Sequence, residues 1–198
     1  MTERATMWRN ISLFIGTELF GPFGLLPGLL AVVAFSTSPH PWMALGTAVL
    51  FGALIPLGIS LWLLKRGQTT NRYIVHRTQR HRFYVACVIS LLTGGVLMVA
   101  LPVGQAMQLF FLVTILSIGS AGVVNLVFKL SLHALVAAAA AVIIPALLGW
   151  WLVAIMVPIW LIVLWARVSA KQHTVSEVVF GSAFGAVSGV TFISLLMS

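Results

Sequence analysis

The sequence predicts an all-α, polytopic transmembrane helical bundle of six to seven spans. Of its 198 residues, 61% are hydrophobic and 7% are charged, and the mean hydropathy is +1.11. Soluble domains carry about 25% charged residues, so this composition excludes a soluble domain. The apolar runs approach the ~20 residues that cross a bilayer, and they lack the alternation of membrane strands. The length suits a single integral membrane domain, residues 1–198.

Seven apolar segments follow one another along the chain, at about 11–35, 43–64, 83–102, 106–128, 133–149, 150–166 and 178–197. The first contains "FGPFGLLPG", which predicts a kinked or broken helix. The fifth and sixth meet at "GWW", where we expect a tight hairpin. Both are shorter than an ideal span, so the predicted count is six to seven.

Alternate threading of these segments places all 11 Lys and Arg residues at one membrane face. They fall in the N-terminus, the 65–82 loop, the 129–132 junction and the 167–177 loop. The positive-inside rule makes this face cytoplasmic, although an anion-binding site also needs cations wherever it faces. We expect any active site at this face.

Acidic residues are scarce: the chain has no Asp, and its carboxylates are Glu3, Glu18 and Glu177. Enzymes that hold Mg²⁺ beside lipid diphosphates use several carboxylates, because this cation prefers oxygen ligands. One Glu cannot build such a site. The sequence therefore predicts no metal and no cofactor, and phosphate chemistry would depend on cations and His. The single Cys87 excludes an intrachain disulfide.

The stretch "ARVSAKQHTVSEVVFG", residues 166–181, concentrates polar side chains between two apolar segments. If residues 170–181 are helical, His173 and Glu177 share one face. The carboxylate would fix the tautomer of the imidazole and leave its other nitrogen as a nucleophile or base. Arg167 could place a guanidinium on a nearby anion. The alternative is an interfacial loop with an incidental His–Glu pair.

A second cluster, "KLSLH" at residues 129–133, opens the fifth segment on the same predicted face. Ser131 is a good N-cap, and a helix N-terminus suits phosphate. His133 could donate a proton to a leaving oxygen, and Lys129 could add charge. The alternative is a capping Ser with a snorkelling Lys and a buried, hydrogen-bonded His.

The third cluster is "NRYIVHRTQRHRFYVAC", residues 71–87, again on this face. Four Arg and two His precede the third segment. They could form a basic loop attracted to anionic headgroups, or one or two arginines could enter a phosphate site. Three clusters distant in sequence thus converge on one end of the bundle.

These residues resemble the type-2 phosphatidic acid phosphatase superfamily, the membrane-embedded lipid phosphate phosphatases. The third motif of that family is Ser-Arg, five residues, His, three residues, Asp. Here "ARVSAKQHTVSE" matches at Arg167 and His173, with Ala166 in place of the Ser and Glu177 in place of the Asp. The second motif, Pro-Ser-Gly-His, corresponds to "LSLH", which keeps the Ser and the His.

The first motif, Lys, six residues, Arg-Pro, is the least similar. Arg82 matches its Arg, but the Lys position falls on Val75. Arg77, or less favourably Arg80 or Arg72, would have to substitute. The resemblance covers about 71–185, and it implies a phosphatase-like core at about 71–198.

The resemblance implies a metal-independent hydrolase for a lipid phosphate or an isoprenoid or polyprenyl diphosphate. His173 would form a phosphohistidine, Glu177 would orient it, and His133 would be the general acid. Phosphate-binding residues would be Arg82, Arg77, Ser131, Arg167 and Lys129. The implied partners are the lipid phosphate and the membrane lipids of a bacterial cell membrane, with no nucleic acid; protein partners are not indicated.

Three alternatives remain open at this point. A catalytically altered member of the family would bind a lipid phosphate without turnover. A transporter for an anionic solute would use the same cations, although polar residues cluster at one end and no inverted repeat is visible. A scaffold protein would need the loop arginines but not the histidines.

Overall fold

The computed structural model describes residues 20, 22–69, 74 and 80–198. Within these residues the chain is all-helical, and its seven α-helices occupy the segments that the hydropathy predicts. They are α1 Pro22–Thr37, α2 Pro41–Lys65, α3 His81–Ala100, α4 Gln105–Val124, α5 Leu132–Leu148, α6 Val153–Ser169 and α7 Val175–Met197. The predicted first segment begins at 11, and its part before residue 20 lies outside the described residues.

Five helical stretches are long and apolar enough to cross a membrane: Pro41–Lys65, His81–Ala100, Gln105–Val124, Trp150–Ser169 and Val175–Met197. The stretch Trp150–Ser169 begins with a short 3₁₀ turn, Trp150–Leu152, which precedes α6. Helix α5 has 17 residues and α1 has 16, so both are shorter. The coarse prediction of an all-α, polytopic membrane protein is confirmed.

The helices alternate in direction, so three of the basic segments meet at one end of the bundle. The Arg80 guanidinium donates to the Leu130 carbonyl at 2.8 Å, and the Lys129 ammonium donates to the Gln172 carbonyl. The opposite end holds the α1–α2 and α3–α4 connections, which are joined where Ser38 donates to the Val103 carbonyl. We call the end at which the three basic segments meet the basic end.

Helix α5 is the centre of the bundle and is buried over most of its length. It packs most extensively against α7, through a row of small residues. A Cβ added to Gly185 would lie 2.0 Å from the Leu135 carbonyl oxygen, and one added to Gly181 would lie 2.5 Å from the Ser131 carbonyl oxygen. Glycine at these positions lets the two backbones touch, as in many membrane helix pairs.

Helix α2 contains a π-helical segment, Leu50–Leu54, in its middle. A π-turn displaces a backbone carbonyl from the regular ladder. Here the Ser90 hydroxyl of α3 donates to the Phe51 carbonyl at 2.7 Å. The segment thereby fixes α2 against α3.

Exposed tryptophans mark two levels along the bundle. Trp62 and Trp165 lie near the basic end, and Trp42 and Trp150 lie near the opposite end. Tryptophan is enriched at both membrane–water interfaces. The predicted hairpin between the fifth and sixth segments is present at the second level, as a turn at Gly149 (φ +133°) followed by the 3₁₀ turn.

Candidate functional site

His173 and Glu177 form the central contact of the site. The His173 Nδ1 lies 2.7 Å from the Glu177 Oε2. His173 itself is buried, 6% exposed, in the short connection between α6 and α7. Its backbone amide donates to the Arg167 carbonyl at 3.3 Å, which folds the connection back onto the end of α6. Since Nδ1 faces the carboxylate, Nε2 is the nitrogen left for chemistry.

The assumption that the helix begins at 170 is wrong: α7 begins at Val175, after the N-cap Thr174. Thr174 and Glu177 form a capping box, in which each side chain accepts from the other residue's backbone amide at 3.3 Å. Glu177 therefore binds the imidazole from the first helical turn, while His173 precedes the helix. The pattern T-x-x-E ahead of an apolar run is a sequence signal for this start.

Lys129 completes the surroundings of Glu177. Its Nζ lies 3.5 Å from the Glu177 Oε2 and donates to the Gln172 carbonyl. One carboxylate oxygen thus contacts the imidazole, the ammonium and a backbone amide. Lys129, which the sequence analysis assigns to phosphate binding, is therefore paired with Glu177.

Ser131 caps α5 as predicted: its Oγ accepts from the Ala134 amide at 3.4 Å. The Ser131 amide donates to the Glu177 carbonyl at 3.3 Å. The start of α5 is therefore hydrogen-bonded directly to the first turn of α7. His133, in the first turn of α5, is buried and lines a cavity that His173 also lines.

Two arginines are buried at this end of the bundle. Arg167 lies in the last turn of α6 and is 1% exposed. Arg80, just before α3, is 5% exposed; its Nε donates to the Ile74 carbonyl at 2.6 Å and its Nη1 to the Leu130 carbonyl. Arg80 lines the same cavity as the two histidines.

Arg82 occupies a different position, because it is exposed and its Nη1 donates to the Gln68 amide oxygen at 2.7 Å. Arg77 lies outside the described residues. The structure thus brings together seven side chains: His173, His133, Glu177, Ser131, Arg167, Lys129 and Arg80. The sequence favours Arg77 over Arg80 as the substitute for the missing Lys, and burial distinguishes Arg80 from the exposed Arg82.

The protonation of His173 depends first on its burial and then on the charges around it. Burial, followed by the positive charges of Arg80, Lys129 and Arg167, lowers the pKa of His173 well below its ordinary value of 6.5. The Glu177 carboxylate acts in the opposite sense. Burial also lowers the pKa of Lys129 and that of Arg80. A neutral imidazole among cationic groups is suited to approach an anion and attack it.

A cavity of about 150 Å³ extends from this cluster into the bundle. Arg80, His133 and His173 line one end, and Phe110 and Phe192 line the other. Most of the remaining lining side chains are apolar and come from α1 to α5 and α7. On the other side of His173 lies an open polar pocket of about 320 Å³, lined also by Lys129, Lys171 and Glu177.

His173 thus separates a polar pocket from an apolar cavity. Among the described residues, no group of three or more His, Cys, Asp or Glu side chains is arranged to hold a metal ion. The arrangement can bind an anionic group attached to a hydrocarbon chain and present a neutral imidazole to it.

Comparison with protein-family models, with curated proteins and with solved structures gave no match to this chain.

Proposed function

We propose that this protein is a membrane-embedded, metal-independent phosphatase that acts through a phosphohistidine on His173. The observation that carries the proposal is the 2.7 Å contact between His173 and Glu177 at the junction of a polar pocket and an apolar cavity. The resemblance of three sequence motifs to the type-2 phosphatidic acid phosphatases supports the same chemistry.

In the first step, the His173 Nε2 attacks the phosphorus atom and the bond to the leaving oxygen breaks. Glu177, bound to Nδ1, fixes the tautomer and balances the positive charge that develops on the ring. His133, beside the same cavity, donates the proton that the leaving alkoxide or phosphate requires. The lipid alcohol, or the lipid monophosphate from a diphosphate, is released.

In the second step, water attacks the phosphohistidine and His133 accepts its proton. Inorganic phosphate leaves, and both histidines return to their starting states. Arg80 and Arg167 bind the phosphoryl oxygens and stabilise the added charge of each transition state. The amides at the N-terminus of α5, ordered by the Ser131 cap, provide further donors. Lys129 acts through Glu177 in this scheme.

The substrate is a lipid phosphate or diphosphate, with isoprenoid and polyprenyl diphosphates favoured. The phosphate would occupy the end of the cavity that Arg80, His133 and His173 line, and the chain would extend toward Phe110 and Phe192. A path for an anionic solute would need polar groups along its length, whereas the inner part of this cavity is largely apolar. This observation favours the phosphatase over the transporter.

We also propose that α1 and α5 cross the membrane with the five longer helices, giving seven spans, the upper value of the six to seven that the sequence predicts. Helix α5 can be short because other helices surround it, so the protein rather than lipid covers its ends. The site would then lie at the basic membrane face, with the cytoplasmic side favoured by the positive-inside rule.

Phosphate release by the detergent-purified protein tests the proposal, in excess EDTA and across a panel of lipid mono- and diphosphates. His173→Ala and His133→Ala should abolish release. His81→Ala is the matched control, because His81 is an exposed histidine at the same end of the bundle. It should retain the wild-type rate.

Labelling with a ³²P-phosphorylated substrate tests the intermediate. Rapid denaturation in alkali should trap radioactivity on the wild-type chain, and this label should be lost in acid and absent from His173→Ala. EDTA-resistant release that persists in His173→Ala, or no release from any lipid in the panel, would refute the proposal.

A further inference from the structure

The far end of the apolar cavity is formed by two aromatic rings. Phe110 of α4 and Phe192 of α7 pack edge to face, with ring centroids 5.2 Å apart. Both side chains are buried, and Phe192 has no exposed surface. They close the cavity opposite Arg80, His133 and His173.

The depth of the cavity follows from helix geometry. On α5 its lining runs from His133 to Ile143, which at 1.5 Å per residue corresponds to about 15 Å. An extended chain advances about 1.2 Å per bond. The cavity therefore accommodates about 12 bonds of a single hydrocarbon chain between the histidines and the rings.

The wall of the cavity is suited to hydrocarbon even where it contains hydroxyl groups. Thr114 donates to the Phe110 carbonyl at 2.8 Å, and Ser188 donates to the Phe184 carbonyl at 2.7 Å. These hydroxyl protons are already used within their own helices. An apolar chain would leave neither of them without an acceptor.

From this geometry we infer that Phe192 and Phe110 determine the length of the lipid chain that the site accepts. The inference rests on the proposed function, since it assigns the cavity to the chain of the same substrate. The rings act as a floor, and chains longer than the cavity gain no further burial. Each methylene that fits above the floor gains packing contacts with the cavity wall, whereas a methylene beyond the limit gains none.

Two substitutions should move this limit in opposite directions. In Phe192→Ala the next apolar side chain on the same face of α7 is Leu196, four residues or about 5.4 Å deeper, so the limit should rise by about four bonds. Gly52 of α2 also lines the cavity, and a Cβ there would meet nothing closer than Leu30 Cδ1 at 3.8 Å. Gly52→Leu should therefore fill the cavity and lower the limit.

The experiment measures binding and hydrolysis separately on the full-length protein. Affinities are measured for linear alkyl phosphonates of increasing chain length, at a constant mole fraction in detergent micelles. Phosphate release is measured for the corresponding alkyl phosphates. Phe35→Leu is the control, because Phe35 is half exposed on the outside of α1.

We expect the dissociation constant to fall with chain length and then level off, at a longer chain in Phe192→Ala and a shorter one in Gly52→Leu. An unchanged limit in Gly52→Leu, whether or not Phe192→Ala folds, would overturn the inference. If the limits shift but no alkyl phosphate is hydrolysed, the phosphatase proposal fails and the assignment of the cavity stands. If alkyl phosphates are hydrolysed but the chain-length limit is the same in the variants as in the wild type, the assignment of the cavity fails and the phosphatase proposal stands.

Discussion

Replacing Gly185 by Ala tests whether the close contact between α5 and α7 sets the geometry of the site. The added Cβ would lie 2.0 Å from the Leu135 carbonyl oxygen, whereas real Cβ atoms stay at least 3.0 Å from such neighbours. The obstacle is backbone, which cannot rotate away. The two helices therefore have to separate or slide by about 1 Å.

The separation should affect stability and activity together. Overpacking of a well-packed interface costs about 1–3 kcal/mol. His133 lies in the first turn of α5, Glu177 lies in the first turn of α7, and His173 lies in the connection just before α7. A displacement of about 1 Å between catalytic groups can lower the rate about 100-fold. We expect Gly185→Ala to lower kcat by about this factor in phosphate release.

Gly119→Ala is the matched control, because a Cβ on Gly119 of α4 would meet nothing within 4 Å. Alanine there should maintain or raise the melting temperature, since Gly costs about 0.5–1 kcal/mol relative to Ala within a helix. Thermal melting and phosphate release would be measured for both variants. Wild-type values of both quantities in Gly185→Ala would refute the argument that this contact positions the histidines.

Three further predictions concern the charged groups of the site. Glu177→Gln should lower kcat by about 10²–10⁴-fold at nearly unchanged KM, because a carboxamide cannot balance the imidazolium; steady-state kinetics on the best substrate would check this, and a change confined to KM would contradict it. Arg80→Ala should abolish phosphate release, whereas Arg82→Ala, which removes an exposed bond to Gln68, should change the rate less than about threefold; the opposite order would assign the phosphate to Arg82. The pKa of His173 is lower in the folded protein than its ordinary value of 6.5. Below about pH 6.5 the imidazole is therefore protonated in the unfolded chain but neutral in the folded protein. The contribution of His173 to the free energy of unfolding is thus fully present above about pH 6.5 and decreases as the pH falls below it. His173→Gln should remove this part of the pH dependence in melting experiments between about pH 8 and pH 5, and an unchanged dependence would contradict the lowered pKa.

Local features of the fold and site could be read from the sequence. Hydropathy located the helices, because burial of apolar length in lipid does not depend on their neighbours. The Ser131 cap and the His173–Glu177 contact depend on spacings of three and four residues, so a sequence can specify them. The start of α7 is also encoded in the sequence, by the capping box of Thr174 and Glu177.

The choice among the arginines could not be made in this way. Residues 72–82 contain four arginines within 11 positions of the sequence, and nothing in their spacing separates them. Arg80 differs because it accommodates its guanidinium between the Ile74 and Leu130 carbonyls, and the second of these lies 50 residues away. The cavity likewise depends on side chains from six helices, so its depth and its aromatic floor appear only when the helices are packed.

The two levels of exposed tryptophans have a consequence for the kinetics of the proposed phosphatase. Trp42 and Trp62 are 20 residues apart on α2, which corresponds to about 30 Å of helix, the thickness of a bilayer's hydrocarbon core. Trp62 and Trp165 both lie in the last turns of their helices at the basic end, and His173 follows Trp165 by one turn of helix and a short connection. Under the proposed function, the imidazole would therefore lie at the height of the lipid headgroups. A substrate would reach it by lateral diffusion within its own leaflet. The relevant concentration is then the substrate's mole fraction in the membrane, and dilution with inert lipid should slow turnover even when the bulk concentration is constant.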